Sequence, residues 1–281
     1  MSFADRAVEL LLPWRETRTP ADARHVIASW AARSLVQYFV VERIAAIAWQ
    51  TNDVSTTPPT VTKYDYAFNF ISDLGANACQ TQDFGAKYHR WICSPLFPVV
   101  DLSFIFLGVG VLIVAALITS EVLQCSGNQR QVADGQKKLK HLATHGVRLT
   151  MGAAGLGLIG VGAWPENDDP TMHGNSTGLF LIFAVISLVL LGYLWWKEQW
   201  TAAVWIFLFA IVAAWGGIGM LVLNHNDPDP TASLGVFERM VVYAFIAGMF
   251  VMGYTLSIGR RPGARYRRHP RPESAQALRS L

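Results

Sequence analysis

Eight ionisable side chains stand out in a chain that carries few charges: Glu42, Arg43, Asp73, Asp101, Glu166, His173, Glu238 and Arg239. Carboxylates near an imidazole suit general acid–base chemistry or metal ligation. Carboxylates near guanidinium groups suit ion pairing, or capture of an anionic or polar head group. Spacing narrows the choice. His173 has no second histidine at i+3 or i+4, and neither does His225. His141 and His145 do stand at i, i+4, but beside Lys140 and Arg148, where a divalent cation is repelled; they read as an interfacial basic face. The sequence holds no HExxH, no GxSxG and no Walker loop. Two cysteines without histidines at finger-like spacing give a weak zinc signal. No cofactor, no metal and no nucleic-acid partner is expected.

The elements that must hold these residues are set by hydropathy. Of the 281 residues, 52% are hydrophobic and 15% charged; an average soluble chain carries about 25% charged residues. The run 96–123 is almost unbroken apolar sequence, and a helix of about 20 such residues crosses a hydrocarbon core. Six such stretches are read, at 26–49, 97–123, 142–164, 175–196, 201–223 and 235–257. The fold class is therefore all-α, a polytopic membrane protein of six spans with a long structured loop, 50–95, between the first two. The third span holds Gly152, Gly155, Gly157, Gly160 and Gly162, small residues that let helices approach closely. Trp49, Trp91 and Trp164 fall at one set of span ends, and Trp195, Trp196 and Trp200 at the other, as an aromatic belt requires.

Basic residues give the orientation. They crowd 1–25, the segment after the second span and 259–281, and they are sparse in 50–95, 165–174 and 224–234. The positive-inside rule then places both termini in the cytoplasm. The first thirty residues carry Asp5, Glu9, Glu16 and Asp22 and lack a continuous apolar core, so no cleavable signal peptide is expected. Residues 3–14 fit either a short interfacial helix or a partly ordered tail, and the basic tail after Arg260 fits either anionic lipid or plain solvation. The chain thus divides into a tail (1–25), a membrane domain (26–258) and a basic tail (259–281).

Loops beyond about 15 residues usually carry structure or function. The loop 50–95 contains the aromatic string YDYAFNFISDLG, and it is expected to fold back over the mouth of the bundle. Cys79 and Cys93 both lie in it, on the oxidising side, and a bond between them closes a loop of about 15 residues, worth roughly 3 kcal/mol in the chain-entropy picture. Cys125 falls at the opposite boundary and is expected to stay reduced.

Several strings carry a family resemblance: ISDLG (71–75), CSPLF (93–97) leading into VDLSFIFLGVGVL (100–112), GLGLIGVGAWPEN (155–167), His173-Gly174, and LGVFERMVVY (234–243). Their order and spacing resemble the DUF998 family of bacterial six-helix membrane proteins, over about residues 25–258, and its actinobacterial branch in particular. Asp101 departs from the Asn of such relatives. The resemblance implies the six-helix fold and no reaction. The ISDLG string also resembles the outer-loop signature of the Frag1/DRAM/Sfk1 membrane proteins, which implies lipid or lipid-anchor handling.

An ionisable group inside a span costs about 2.5–3.5 kcal/mol on insertion scales, so it usually faces a partner or a cavity. Seven of the eight fall at similar depth on the outer side, and the folded loop is expected to bring Asp73 to them. The expected pairs are Arg43 with Asp101 or Glu238, and Arg239 with Glu42 or Asp73. Three readings stay open: salt bridges that fix packing, a vestibule that binds a membrane lipid or a membrane-protein partner, and a catalytic site on lipid head groups. A small transporter ranks behind them, because no internal repeat is visible and the ions lie off centre.

Overall fold

The computed structural model describes residues 23–49, 52–53, 60–61, 63–84, 88–119, 122–123, 134–196, 199–225 and 233–258. The N-terminal segment 3–14, the basic tail 259–281 and Cys125 lie outside the described residues.

Among the described residues seven α-helices follow one another: α1 (Ala23–Ser34), α2 (Gln37–Ile47), α3 (Phe97–Leu117), α4 (Asp134–Ala163), α5 (Pro170–Trp195), α6 (Trp200–His225) and α7 (Leu234–Ile258). The last five are long and apolar enough to cross a membrane. The first expected span is not one helix. It breaks at Leu35–Val36, where i→i+3 hydrogen bonds (Tyr38 N to Leu35 O, 3.2 Å; Phe39 N to Val36 O, 3.2 Å) replace the α pattern. Helices α1 and α2 together still run along α3: Leu35 lies against Gly110, Gln37 Nε2 donates to Ser103 Oγ (3.1 Å), and Tyr38 packs on Phe104.

Neighbouring helices pack in chain order, α3 on α4, α4 on α5, α5 on α6 and α6 on α7, and α7 closes the ring against α1. The glycines of α4 serve two faces. A Cβ at Gly155 would stand 2.9 Å from the Gly108 carbonyl of α3, and one at Gly157 would stand 2.6 Å from the Phe180 nitrogen of α5. Small residues thus bring both neighbours to backbone contact with α4. Arg148 reaches from α4 to the end of α3, donating through Nε to Ala115 O (3.0 Å) and through Nη2 to Ala116 O (3.2 Å). Those carbonyls have no intrahelical partner, which is where a cation fits a helix C-terminus. His141 and His145 meet on an exposed face, Nε2 to Nε2 at 3.2 Å.

The aromatic belt holds only in part. Trp164, Trp196 and Trp200 are exposed, but Trp49, Trp91 and Trp195 are buried. Trp195 fills the core at the end opposite the long loop and donates through Nε1 to Leu123 O (2.8 Å). An indole wants an apolar bed and one acceptor, and here the protein supplies both.

The long loop folds back as a lid. An Asx turn at Asp65 (Ala67 N to Oδ1, 2.7 Å) leads into a 3₁₀ turn, Ser72–Gly75, whose residues are all buried against the bundle. Gly75 sits on Asp101 of α3 so closely that any Cβ would collide with the carboxylate. Beyond it, β1 (Gln80–Phe84) and β2 (Tyr88–Ile92) form an antiparallel hairpin, with Gln80 opposite Ile92. Cys79 and Cys93 flank that pair and are bonded to each other, as expected. A second, two-residue ladder joins Asn52–Asp53 to Thr60–Val61.

Candidate functional site

The eight expected residues do not line one vestibule. The fold gathers Arg239 and Glu42 into a buried ion pair under the lid, brings Glu166, His173 and Glu238 to a separate cavity on the flank, and leaves Arg43 exposed.

The cluster centres on Arg239, in the second turn of α7. Its Nε donates to Glu42 Oε1 of α2 at 3.1 Å, one of the two pairings expected for it, and both side chains are buried. Nη1 donates to the carbonyls of Tyr66 (2.8 Å), Asn69 (2.8 Å) and Gly235 (2.9 Å), and Nη2 to Tyr64 Oη. The guanidinium also lies over the rings of Tyr64 and Tyr66. Glu42 is closed from its other side by the Tyr243 hydroxyl. Burial pushes the Tyr64 phenol well above its usual range, with Arg239 pulling against that. The neutral phenol then donates to the Phe70 carbonyl at 3.0 Å. Gly235 makes this possible, because a side chain there would strike the Asn69 carbonyl.

Asp73 is fully buried in the same lid and ties its own turn, accepting from Asn69 Nδ2 (3.1 Å) and Phe70 N (2.9 Å). Asp101 lies under Gly75. Arg43 corrects the expectation: it pairs with neither Asp101 nor Glu238, and it is exposed, with its guanidinium 4.8 Å from the centre of the Tyr66 ring. Successive helical residues are rotated by about 100°, so burying Glu42 turns its neighbour outward.

The cavity has a volume of 630 Å³ and opens between α5 and α6. One end is polar, formed by Ser72 of the lid, Glu166 of the α4–α5 connection, His173 and Thr177 of α5, and Glu238 of α7. Glu238 Oε2 accepts the Ile71 amide, and Ser72 Oγ donates to Glu166 Oε2 at 3.1 Å. His173 Nδ1 donates to the Trp164 carbonyl at 2.8 Å, which leaves Nε2 as the acceptor of the neutral ring. Thr177 Oγ1 is buried without a partner among the described residues. The rest of the cavity is apolar, walled by Leu181, Val185, Ile186, Ala214 and Ile218. From His173 to Ile186 the α5 wall runs about 20 Å at 1.5 Å per residue.

Three glycines hollow it out. At Gly174, Gly178 and Gly217 an added Cβ would meet nothing within 4 Å, unlike the packing glycines of α4. The cavity is therefore a groove in the helix surface, with Ile182, Ile218 and Leu221 exposed along it. Of the expected residues, Glu166, His173 and Glu238 reach it; Glu42, Arg43, Asp73, Asp101 and Arg239 do not line it. Sequence reasoning missed Ser72, Thr177 and the three groove glycines. Gly174 and Gly178, four apart on one helical face, were the available signal.

These features define an all-α polytopic membrane protein with a disulfide-braced lid and a groove open to its flank. Residues 136–255 match the model of a family described as a protein of unknown function, DUF998, and over that stretch the chain is similar to it. The matched stretch includes α5, α6 and Glu238, and so most of the groove wall. No curated protein and no solved structure matches the chain.

Proposed function

We propose that this protein is a membrane lipid-binding module whose site is the α5–α6 groove, with a lipid tail along the apolar wall and its head group at the polar end. The observation that carries this reading is the composition of the groove along its length: polar groups at the lid end, then about 20 Å of aliphatic and glycine surface. A groove with few polar anchors and a long apolar body suits an amphiphile. The ion cluster supports the reading by exclusion. Arg239 is already satisfied by Glu42, three carbonyls and Tyr64, so it holds the lid and is not free for a ligand.

The proposed setting is the bacterial inner membrane, with the lid outside and both tails in the cytoplasm. The disulfide lies at the lid end, where thiols oxidise, and Arg148 lies at the far end. The division into a membrane domain, 26–258, between two tails is part of the same proposal.

One observation favours a second reading, an enzyme acting on lipid head groups: His173, Glu166 and Glu238 line a single space, and their side chains suit general acid–base chemistry. A photoactivatable lipid with its reactive group in the tail tests the first reading. Crosslinks on α5 and α6 between Leu181 and Ile218 are expected, and crosslinks spread evenly over all helices would overturn it. A lipidomic comparison of cells with and without the protein separates the two, since only an enzyme depletes one lipid while enriching its product.

A further inference from the structure

Away from the groove, two side chains at the end opposite the lid converge on one point. His141 and His145 stand one turn apart where the apolar span of α4 begins. Both are exposed, their rings meet edge to face, and their Nε2 atoms are 3.2 Å apart. Residues at i and i+4 share one helical face. An Nε2 without a proton presents a lone pair, and two lone pairs at that separation repel unless something positive lies between them. A shared proton is one solution. A metal ion is the other, and the separation suits it. With Zn–N bonds of about 2.0–2.1 Å, nitrogens 3.2 Å apart subtend about 100° at the ion, close to the tetrahedral angle.

The charge argument against a cation here weakens in the structure. Arg148, the next turn along, gives its guanidinium to the Ala115 and Ala116 carbonyls at the end of α3, whose partial negative charge offsets it. Position 140 lies about 100° round the helix from position 141. Among the described residues no third His, Cys, Asp or Glu joins the pair, and both rings are exposed, so water can supply the remaining ligands. We propose that His141 and His145 chelate a divalent transition-metal ion, in an open and exchangeable site that is independent of the lipid groove. Imidazole nitrogen suits Zn²⁺, Ni²⁺ and Cu²⁺, whereas Mg²⁺ and Ca²⁺ take oxygen ligands, so the site selects the first group.

The test is calorimetric titration of Zn²⁺ into the full chain, purified in detergent without a polyhistidine tag and in mildly alkaline buffer. The parent protein is expected to bind one equivalent of zinc more than either His141→Ala or His145→Ala, and equimolar Mg²⁺ is expected not to displace it. A rescue guards against a folding defect. Lys137→His in the His145→Ala background puts an imidazole four residues before His141, and it is expected to restore the lost equivalent. Equal zinc binding by the parent and both single variants would overturn the inference. Loss in only one of them would do the same, since a chelate needs both nitrogens, and so would displacement by Mg²⁺. Loss in both without rescue would point to disturbed folding and would also overturn it.

Discussion

At Arg239, Nε, Nη1 and Nη2 all donate, and the acceptors come from α2, the lid and α7 itself. Removing one partner of a buried pair strands the other, at a cost of about 3–5 kcal/mol. Arg239→Met should therefore destabilise strongly, because it leaves the Glu42 carboxylate and the carbonyls of Tyr66 and Asn69 without their donor. The double variant Arg239→Met/Glu42→Gln should recover part of the loss. Arg43→Ala, which removes an exposed side chain, should stay within about 0.5 kcal/mol. Thermal unfolding in detergent measures all three, and an equal loss for Arg43→Ala and Arg239→Met would contradict the assignment. That Arg239 pairs with Glu42 or Asp73 was legible in the sequence, since an ion in an apolar helix needs a counter-ion; packing decides for Glu42. The separation of Glu238 from Arg239 was not. Adjacent residues on a helix face different ways, and only the packing of α7 decides that Arg239 turns to the lid and Glu238 to the groove.

Glycine does opposite work on adjacent helices. In α4, at Gly155 and Gly157, it removes bulk so that backbones touch; in α5, at Gly174 and Gly178, it leaves surface empty. Gly157→Leu forces atoms against the Phe180 nitrogen and the Ser176 carbonyl and should cost at least about 2 kcal/mol by overpacking. Gly178→Leu has open space ahead of it and should leave stability unchanged or raise it slightly, since glycine is a poor helix former. Comparing the two unfolding temperatures checks this, and equal losses would show that the groove is not open. The long apolar helices were legible because a span needs some 20 apolar residues in a row. The break at Leu35–Val36 was not, because no Pro or Gly marks it in Arg33-Ser34-Leu35-Val36-Gln37, while the hydrogen bonds shorten to i→i+3. The hairpin at Gln80–Ile92 was hidden too: QTQDF and YHRWI lack the alternation that marks a half-buried strand. Its disulfide was nonetheless readable from Cys79 and Cys93 sharing one loop.

As a whole, the molecule is a ring of helices closed by α7 against α1, with its polar investment concentrated at one end. The lid cluster is internally satisfied, so it behaves as architecture. The groove has a buried hydroxyl, Thr177 Oγ1, without a partner among the described residues, and unfilled volume, so it behaves as a site. That contrast is the central claim, and a block of the groove that spares the fold tests it. Gly178→Phe would place a ring in the groove, whereas Gly152→Phe would place one at an equally open position that does not line it. The decisive measurement is native mass spectrometry of bound lipid on the purified full chain and these two variants. The account predicts lipid adducts on the parent protein and on Gly152→Phe, and their loss from Gly178→Phe. Adducts that persist undiminished on Gly178→Phe would contradict it.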